Sequence, residues 1–233
     1  MIRDAILRLD PSCAVFTSTH LLLVRLCLRA RAYACVLPVL DKHISHLPAL
    51  NRQASSKYGA VLCADNVSSS SFISESTGLS SRLSYKDYLR YFLYGGMVYT
   101  ALKNWRKASH FFGIVISMPT VGTISMVMVE AYKKWVLVGL LEKGKVSYNF
   151  SPQPYLCHTR LTGHQLCSPP KITASHVAKM YQSLARPYVT LAHTFERGDI
   201  KTLEAEVNAA RDIWCTVSSL HSFSSLCHVF LSC

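Results

Sequence analysis

The sequence is poor in acidic residues and lacks the short motifs that mark most catalytic sites. It has 13 aspartates and glutamates against 25 lysines and arginines, and no matched carboxylate pair is placed for acid–base work. It contains no complete phosphate-binding P-loop, no G-x-S-x-G elbow, no H-E-x-x-H and no H-x-H pair of metal-binding histidines. We therefore expect no catalytic residues, no cofactor and no small-molecule substrate, and so a protein that is not an enzyme.

The sequence also lacks any long run of charge of one sign. The formal net charge is +12, which by itself suggests a nucleic-acid or membrane-surface partner. The basic residues are nevertheless spread in short groups, at 25–31, 106–107, 133–134 and 143–145. There is no ribonucleoprotein aromatic motif. We expect solvated helix faces or a surface that meets acidic partner subunits, with the 25–31 strip as one interface, while a basic nucleic-acid-binding helical module is the alternative.

Cysteine and histidine are present but do not form a convincing metal or disulfide pattern. The nine cysteines are odd in number and follow no secretory signal, which favours a reduced, intracellular protein. One loop holds four possible zinc ligands, Cys157, His158, His164 and Cys167. Two of them are adjacent, an arrangement that rarely lets both reach one tetrahedral ion. His43 and His46 lack a third ligand, so we expect no metal site.

Two long uncharged runs could in principle cross a membrane. The run 108–129 is long enough, but Pro119 and Gly122 interrupt it and helical faces already explain its apolar residues. The run 213–233 is rich in serine and contains two histidines. We therefore expect no membrane-spanning segment.

The most regular part of the chain is 85–145. Apolar residues recur there every three or four positions, which predicts helices at 85–101, 105–117 and 124–143. Ser84 and Asp87 have the spacing of a capping box at the first helix start. The predicted faces are Tyr85, Tyr88, Leu89, Phe92, Leu93, Gly96 and Met97; then Trp105, Ala108, Phe112 and Val115; then Ile124, Met128, Ala131, Trp135 and Val138. The face of helix 124–143 is a second predicted interface.

The first two of these helices have the spacing of a tetratricopeptide repeat. In such repeats small residues lie where paired helices cross, and large apolar residues lie where they interlock. The matching positions are Phe92, Gly96, Tyr99, Ala108 and Phe112, whereas Gly95 and Val115 depart from the usual residue types. An ordinary helical hairpin with core aromatics is the alternative interpretation.

Helical patterns also flank this stretch. An earlier helical pair is predicted at 17–44, with Pro38 bending or breaking its second helix. Its predicted faces are Leu21, Val24 and Leu28, then Tyr33, Val36, Leu37 and Leu40. Downstream, a helix is predicted from Thr173 or Ser175 with Val177, Met180, Tyr181 and Leu184 on one face and a break or kink at Pro187. Gly198 is predicted to end that helix and Asp199 to cap the next, which carries Ile200, Leu203, Val207, Ala210 and Trp214.

These patterns divide the chain into six segments. They are an N-terminal helical repeat at 1–54, a serine-rich mobile loop at 55–84, the repeat core at 85–145, an aperiodic insert at 146–165, a helical continuation at 166–214 and an atypical tail at 215–233.

Several segments resemble one protein family. YKDYLRYFLYGGMVYTALKNWRKASHFFGIVISMP and VMVEAYKKWVLVGLLEKGKV are similar to the subunit-three family of the COP-nine signalosome. So are FTSTHLLLVRLCLRARAYACVLPVLDKHI upstream and LCSPPKITASHVAKMYQSLARPYVTLAHTFERGDIKTLEAEVNAARDIW downstream. The likeness covers about 14–146 and 166–214, with EAYKKWVLVGLLEKGK as its most specific part. The sequence is most similar to plant members of the family.

The resemblance implies an all-α fold, an α-solenoid of tetratricopeptide-like repeats leading into a PCI domain with a winged helix. It implies a non-catalytic scaffold that assembles with the other signalosome subunits in the nucleus and cytoplasm. That complex removes Nedd8 from cullins and thereby regulates cullin–RING ubiquitin ligases, with its metalloprotease chemistry in a different subunit. A PCI scaffold of the proteasome lid or of a translation initiation factor complex is the alternative.

The chain departs from the family pattern in two places. Segment 146–165 interrupts a continuous match, and its ends can be encoded by splice-site consensus sequences, so we hypothesise a retained intron. The tail after Trp214 replaces the rest of the family's chain, which implies that the C-terminal winged helix is missing through truncation or mis-splicing.

Overall fold

The computed structural model describes residues 1–47, 69–75, 77–120, 124–143 and 175–209. Within these ranges the chain is helical and has no multi-residue strand, and an isolated β-bridge joins Val15 and His46. The chain forms two compact units, Met1–Val98 and Tyr99–Cys233. The expected all-α class is therefore confirmed.

The first unit begins with helix α1 (Ile2–Leu9), which the sequence patterns did not predict, followed by α2 (Ser18–Arg29). A 3-10 turn (Tyr33–Val36) and the single α-turn α3 (Leu37–Leu40) come next, and α1 contacts both α2 and α3. The expected second helix of the 17–44 pair is thus a short irregular segment. Pro38 lies in the first turn of α3, where its missing N–H costs no intrahelical hydrogen bond.

Helix α2 buries a different face from the predicted one. Its buried residues are His20, Leu23, Val24 and Cys27. Of the predicted face, Val24 is fully buried, whereas Leu21 and Leu28 are only partly covered. The helix has leucine or valine on nearly every side, so apolar spacing alone did not fix the face that points inward.

The end of the serine-rich loop is folded onto the first unit. Ser69–Phe72 forms the one-turn helix α4, and the Ser69 hydroxyl donates to Asp10 at 3.0 Å. Ser18 and the 80–81 pair exchange hydrogen bonds, with Ser18 N–H donating to Ser80 Oγ at 3.2 Å and Ser81 N–H donating to Ser18 Oγ at 3.1 Å. In this part serine hydroxyls serve as tertiary hydrogen-bonding groups, and the mobility of the connection stays a prediction.

Helix α5 (Tyr85–Ala101) has the predicted bounds. The capping box is confirmed, since Ser84 N–H donates to Asp87 Oδ2 at 3.0 Å and Asp87 N–H donates to Ser84 Oγ at 3.2 Å. From residue 91 to 100 every residue except Tyr94 is buried. The sequence predicted a single buried face, but this second half of the helix is covered on nearly all sides, whereas Tyr85, Lys86 and Arg90 in its first half are exposed.

The second unit contains a hairpin of α6 (Trp105–Ser117) and α7 (Met126–Lys143), which pack along each other. The bounds of α6 are as predicted, and α7 begins two residues later than predicted. Asn104 caps α6 by accepting a hydrogen bond from Lys107 N–H at 3.3 Å. The tetratricopeptide positions Phe92, Gly96, Tyr99, Ala108 and Phe112 are all buried.

Gly139 and Gly144 have the glycine spacing of a phosphate-binding loop, but the motif is incomplete in the sequence. Gly139 lies inside α7. Val146 also occupies the position where the motif requires serine or threonine.

Helices α8 (Ser175–Arg197) and α9 (Ile200–Ala209) follow, and α8 contacts both α7 and α9. Of the predicted break or kink at Pro187, the break is wrong, because α8 continues through the proline. Buried residues before and after the proline, Val177 and Leu191 among them, hold both halves in the packed unit. Gly198, with φ +71, ends α8, and Asp199 caps α9 by accepting from Thr202 N–H at 3.3 Å, as predicted.

The predicted insert at 146–165, the four possible zinc ligands and the tail at 215–233 lie outside the described residues. Among the helices that are described, none combines the length and apolar character needed to cross a bilayer.

Candidate functional site

The described residues bring no chemically reactive cluster together. No group of three or more histidine, cysteine, aspartate or glutamate side chains within these ranges could hold a metal ion. His43 and His46 are exposed, and His46 Nδ1 lies 2.7 Å from the Ser45 hydroxyl. The features that remain are two buried polar centres, one exposed helix face and one buried ion pair.

The first polar centre is His20, at the start of α2. Its side chain is 1% exposed and faces the rings of Phe16 and Tyr91. Nδ1 accepts a hydrogen bond from Thr17 N–H at 3.2 Å and lies 2.7 Å from the Thr17 hydroxyl. Because Nδ1 is the acceptor, the neutral ring carries its proton on Nε2, which is buried without a hydrogen-bond partner. Burial lowers the pKa of His20 from 6.5 to about 4, and Asp10 opposes this shift.

This geometry makes His20 a structural capping residue. The pair Thr17 and His20 reproduces the reciprocal hydrogen bonds of a capping box, with histidine in place of the usual glutamate or glutamine. The patterns considered in the sequence missed it, although Thr-x-x-His before an apolar run is the detectable signal.

The second polar centre is Asp10, which is 2% exposed. Its carboxylate accepts four hydrogen bonds, from Ser12 N–H, the Ser12 hydroxyl, Val15 N–H and the Ser69 hydroxyl. Burial raises the pKa of Asp10, but the hydrogen bonds outweigh burial and hold the pKa below its ordinary value. Asp10 thus joins the N-terminal segment to the end of the serine-rich loop.

The exposed side of α2 combines apolar and basic residues. Leu22 and Leu26, one turn apart, are 43% and 42% exposed. Arg25 and Arg29 are exposed on the same side, and we call these four residues the α2 outer face. Arg31 is exposed in the following turn, where its φ of 54 ends the helical course. The basic strip predicted from sequence is therefore accessible, and it is interleaved with leucines.

The buried ion pair lies within α7. Lys134 is 4% exposed, and its Nζ lies 2.7 Å from Glu130 Oε1. Burial also lowers the pKa of the neighbouring Lys133. On the adjacent turn, the ring of Tyr132 packs on that of Tyr181 in α8 with centroids 4.5 Å apart.

The sequence predicted the α7 stripe as an interface with other proteins, and this stays a prediction. Met128, Ala131 and Val138 are each at most 1% exposed, whereas Ile124 and Trp135 are half-buried. The α2 outer face is the one predicted interface that the structure leaves open.

Comparison with known proteins assigns these helices to a family. Residues 68–152 match a family model described as COP9 signalosome complex subunit 3, N-terminal helical repeats. This match includes α4 to α7, and it ends inside the segment proposed as an insert. The expectation of a retained intron therefore stays a prediction.

Curated relatives with the name COP9 signalosome complex subunit 3 are similar along much of the chain. The protein of Emericella nidulans is 44% identical over 92% of this chain and 38% of its own length. That of Drosophila melanogaster is 33% identical over 57% of this chain and 26% of its own length. That of Dictyostelium discoideum is 24% identical over 92% of this chain and 40% of its own length. The chain thus spans well under half of each of these relatives, and since none is a plant protein, the plant-like expectation stays a prediction.

Proposed function

Because the chain belongs to the COP9 signalosome subunit 3 family over the part that it spans, we propose that it is a non-catalytic scaffold subunit of the signalosome. In this role its helices hold sister subunits in place and carry out no chemistry themselves. The complex acts in the nucleus and cytoplasm, where it removes Nedd8 from cullins and so regulates cullin–RING ubiquitin ligases. Another subunit supplies the metalloprotease site.

The observation that carries the proposal is the 44% identity over 92% of the chain, together with the family match on the helical core. In that core the repeat-motif residues and a charged pair contribute to helix packing. Ala108 and Phe112 are fully buried, and the Lys134 ammonium is buried beside Glu130, one turn away in α7. Residues used in this way to pack helices are consistent with a scaffold role.

The proposal is tested by reconstitution. The tagged chain is mixed with purified signalosome subunits from which subunit 3 has been left out, and the mixture is separated by size exclusion. We expect the chain to elute with the other subunits in a complex of defined stoichiometry. Phe112→Asp, which places a charge in the α6 core, is the control and should abolish this co-elution.

A chain that is helical by circular dichroism but elutes alone would contradict the proposal. Parallel mixtures with proteasome-lid subunits and with translation initiation factor subunits separate the signalosome from other PCI scaffolds. Preferential assembly with either of these would replace the proposed partner set.

A further inference from the structure

The α2 outer face is an amphipathic surface in which apolar and cationic groups share one side of a helix. At 100° per residue, Leu22, Arg25, Leu26 and Arg29 fall within about 100° of the helix circumference. The residues that hold α2 in the first unit, including His20 and Val24, lie on the opposite side. The outer face therefore does not hold α2 in the described part of the first unit.

Within the part of the chain that the structure describes, no acidic side chain pairs with the arginines of this face. Residues 11–40 contain three arginines and no aspartate or glutamate. In the described ranges, Arg25, Arg29 and Arg31 form no ion pair, whereas Arg3 and Arg90 each pair with an aspartate one to three residues away. An anionic surface would complement these arginines.

We propose that the α2 outer face binds an acidic amphipathic helix of another polypeptide. Leu22 and Leu26 contact the apolar stripe of that helix, and Arg25 and Arg29 pair with carboxylates that flank the stripe. Helix-on-helix docking of this kind uses anchors one turn apart, which is the spacing of the two leucines. Arginine is suited to the charged positions because its guanidinium forms two parallel hydrogen bonds with a carboxylate.

The composition of the face favours a protein helix over other anionic partners. Surfaces that bind single-stranded nucleic acids without base readout use aromatic side chains on which bases stack, and the α2 outer face has none. Membrane-surface helices carry a longer apolar side, often with tryptophan or phenylalanine, than two leucines provide. The proposal does not depend on membership of the signalosome, so it can fail while the proposed function stands.

The test uses synthetic helical peptides and the full chain. The acidic probe is a dye-labelled helical peptide with leucines at i and i+4 flanked by glutamates. Two matched peptides replace its glutamates by lysines or its leucines by serines. Binding is followed by fluorescence anisotropy at low and at physiological salt. We expect the acidic probe to bind and each matched peptide to bind at least about tenfold more weakly, because charge and apolar contact both contribute.

Variants of the chain locate the site. Arg25→Glu with Arg29→Glu, and separately Leu22→Ser with Leu26→Ser, should each weaken the acidic probe at least about tenfold. The lysine peptide should bind the double-glutamate variant better than it binds the original chain. Arg8→Glu with Arg106→Glu changes two exposed arginines elsewhere and should have little effect. Circular dichroism confirms that each variant keeps its helical content.

Several outcomes would overturn the proposal. The first is that the acidic probe does not bind at low salt. The second is that the control variant loses as much binding of the acidic probe as the α2 variants do, which would indicate general charge attraction. Tighter binding of phosphatidylserine vesicles or single-stranded RNA than of the peptide, lost in the same variants, would assign the face to a membrane or a nucleic acid. Self-association lost in the leucine variant would assign it to a second copy of the chain.

Discussion

Acid should destabilise the first unit through His20. The pKa of this buried ring is lowered by burial to about 4, against 6.5 in the unfolded chain. Above pH 6.5 both states are neutral and the group has no effect. As the pH falls from 6.5 towards 4 the unfolded state takes up a proton that the folded state does not, so stability is lost across this window.

The size of the loss follows from the two pKa values. At pH 5 the unfolded ring is almost fully protonated and the folded ring is about a tenth protonated, which costs roughly 2 kcal/mol relative to pH 7.5. Protonation of the folded ring at Nδ1 would also end its hydrogen bond from Thr17 N–H. The effect is therefore tied to the start of α2.

The matched variant is His20→Gln. Glutamine is a usual residue at this position of a capping box, so it can accept from Thr17 N–H without titrating. Urea unfolding is followed by circular dichroism at pH 7.5, 6 and 5 and constant ionic strength. We expect His20→Gln to lose roughly 2 kcal/mol less between pH 7.5 and 5 than the original chain. His43→Gln, which changes an exposed histidine of the same unit, is the control and should behave like the original.

Equal losses in the original chain and in His20→Gln would refute this reasoning. They would mean that His20 is protonated in the folded state, or that its surroundings open to water before the unit unfolds.

Three further predictions concern packing and buried charge. Phe112→Ala should lower the free energy of unfolding of the second unit by about 3 kcal/mol or more, as measured by urea unfolding followed by tryptophan fluorescence. The control Met126→Ala, at an 80% exposed position, should change that free energy by less than about 0.5 kcal/mol. Glu130→Gln should destabilise the second unit because it removes the carboxylate 2.7 Å from Lys134 Nζ. The paired change Glu130→Leu with Lys134→Met should recover most of that loss, and no recovery would contradict this account of the pair. Asp10→Ala should lower the free energy of unfolding of the first unit by about 2 kcal/mol or more and speed hydrogen exchange at 69–72. Unchanged exchange at 69–72 would show that the Ser69 contact does not anchor that turn.

The sequence predicted the regular helices of the core well because their signals are local. The bounds of α5 follow from the capping box at Ser84 and Asp87 and from its apolar spacing. The end of α8 follows from Gly198, whose positive φ favours glycine. The tetratricopeptide spacing identified residues that are buried in the structure.

The Asp10 centre and the burial of Lys134 could not be predicted in the same way, because distant parts of the chain determine them. Asp10 is satisfied partly by Ser69, 59 residues later. Lys134 is buried although lysine is among the least often buried residue types. Helix α2 has apolar residues on nearly every side, so tertiary packing determines which leucines are exposed and therefore which residues form the α2 outer face.

The central claim is that this chain is a signalosome scaffold. The most direct test is to tag the chain in its own cells, purify it under mild conditions and identify its partners by quantitative mass spectrometry. We predict recovery of the other signalosome subunits in equal amounts with the chain, in a large complex. Recovery of the folded chain with none of them would contradict the claim.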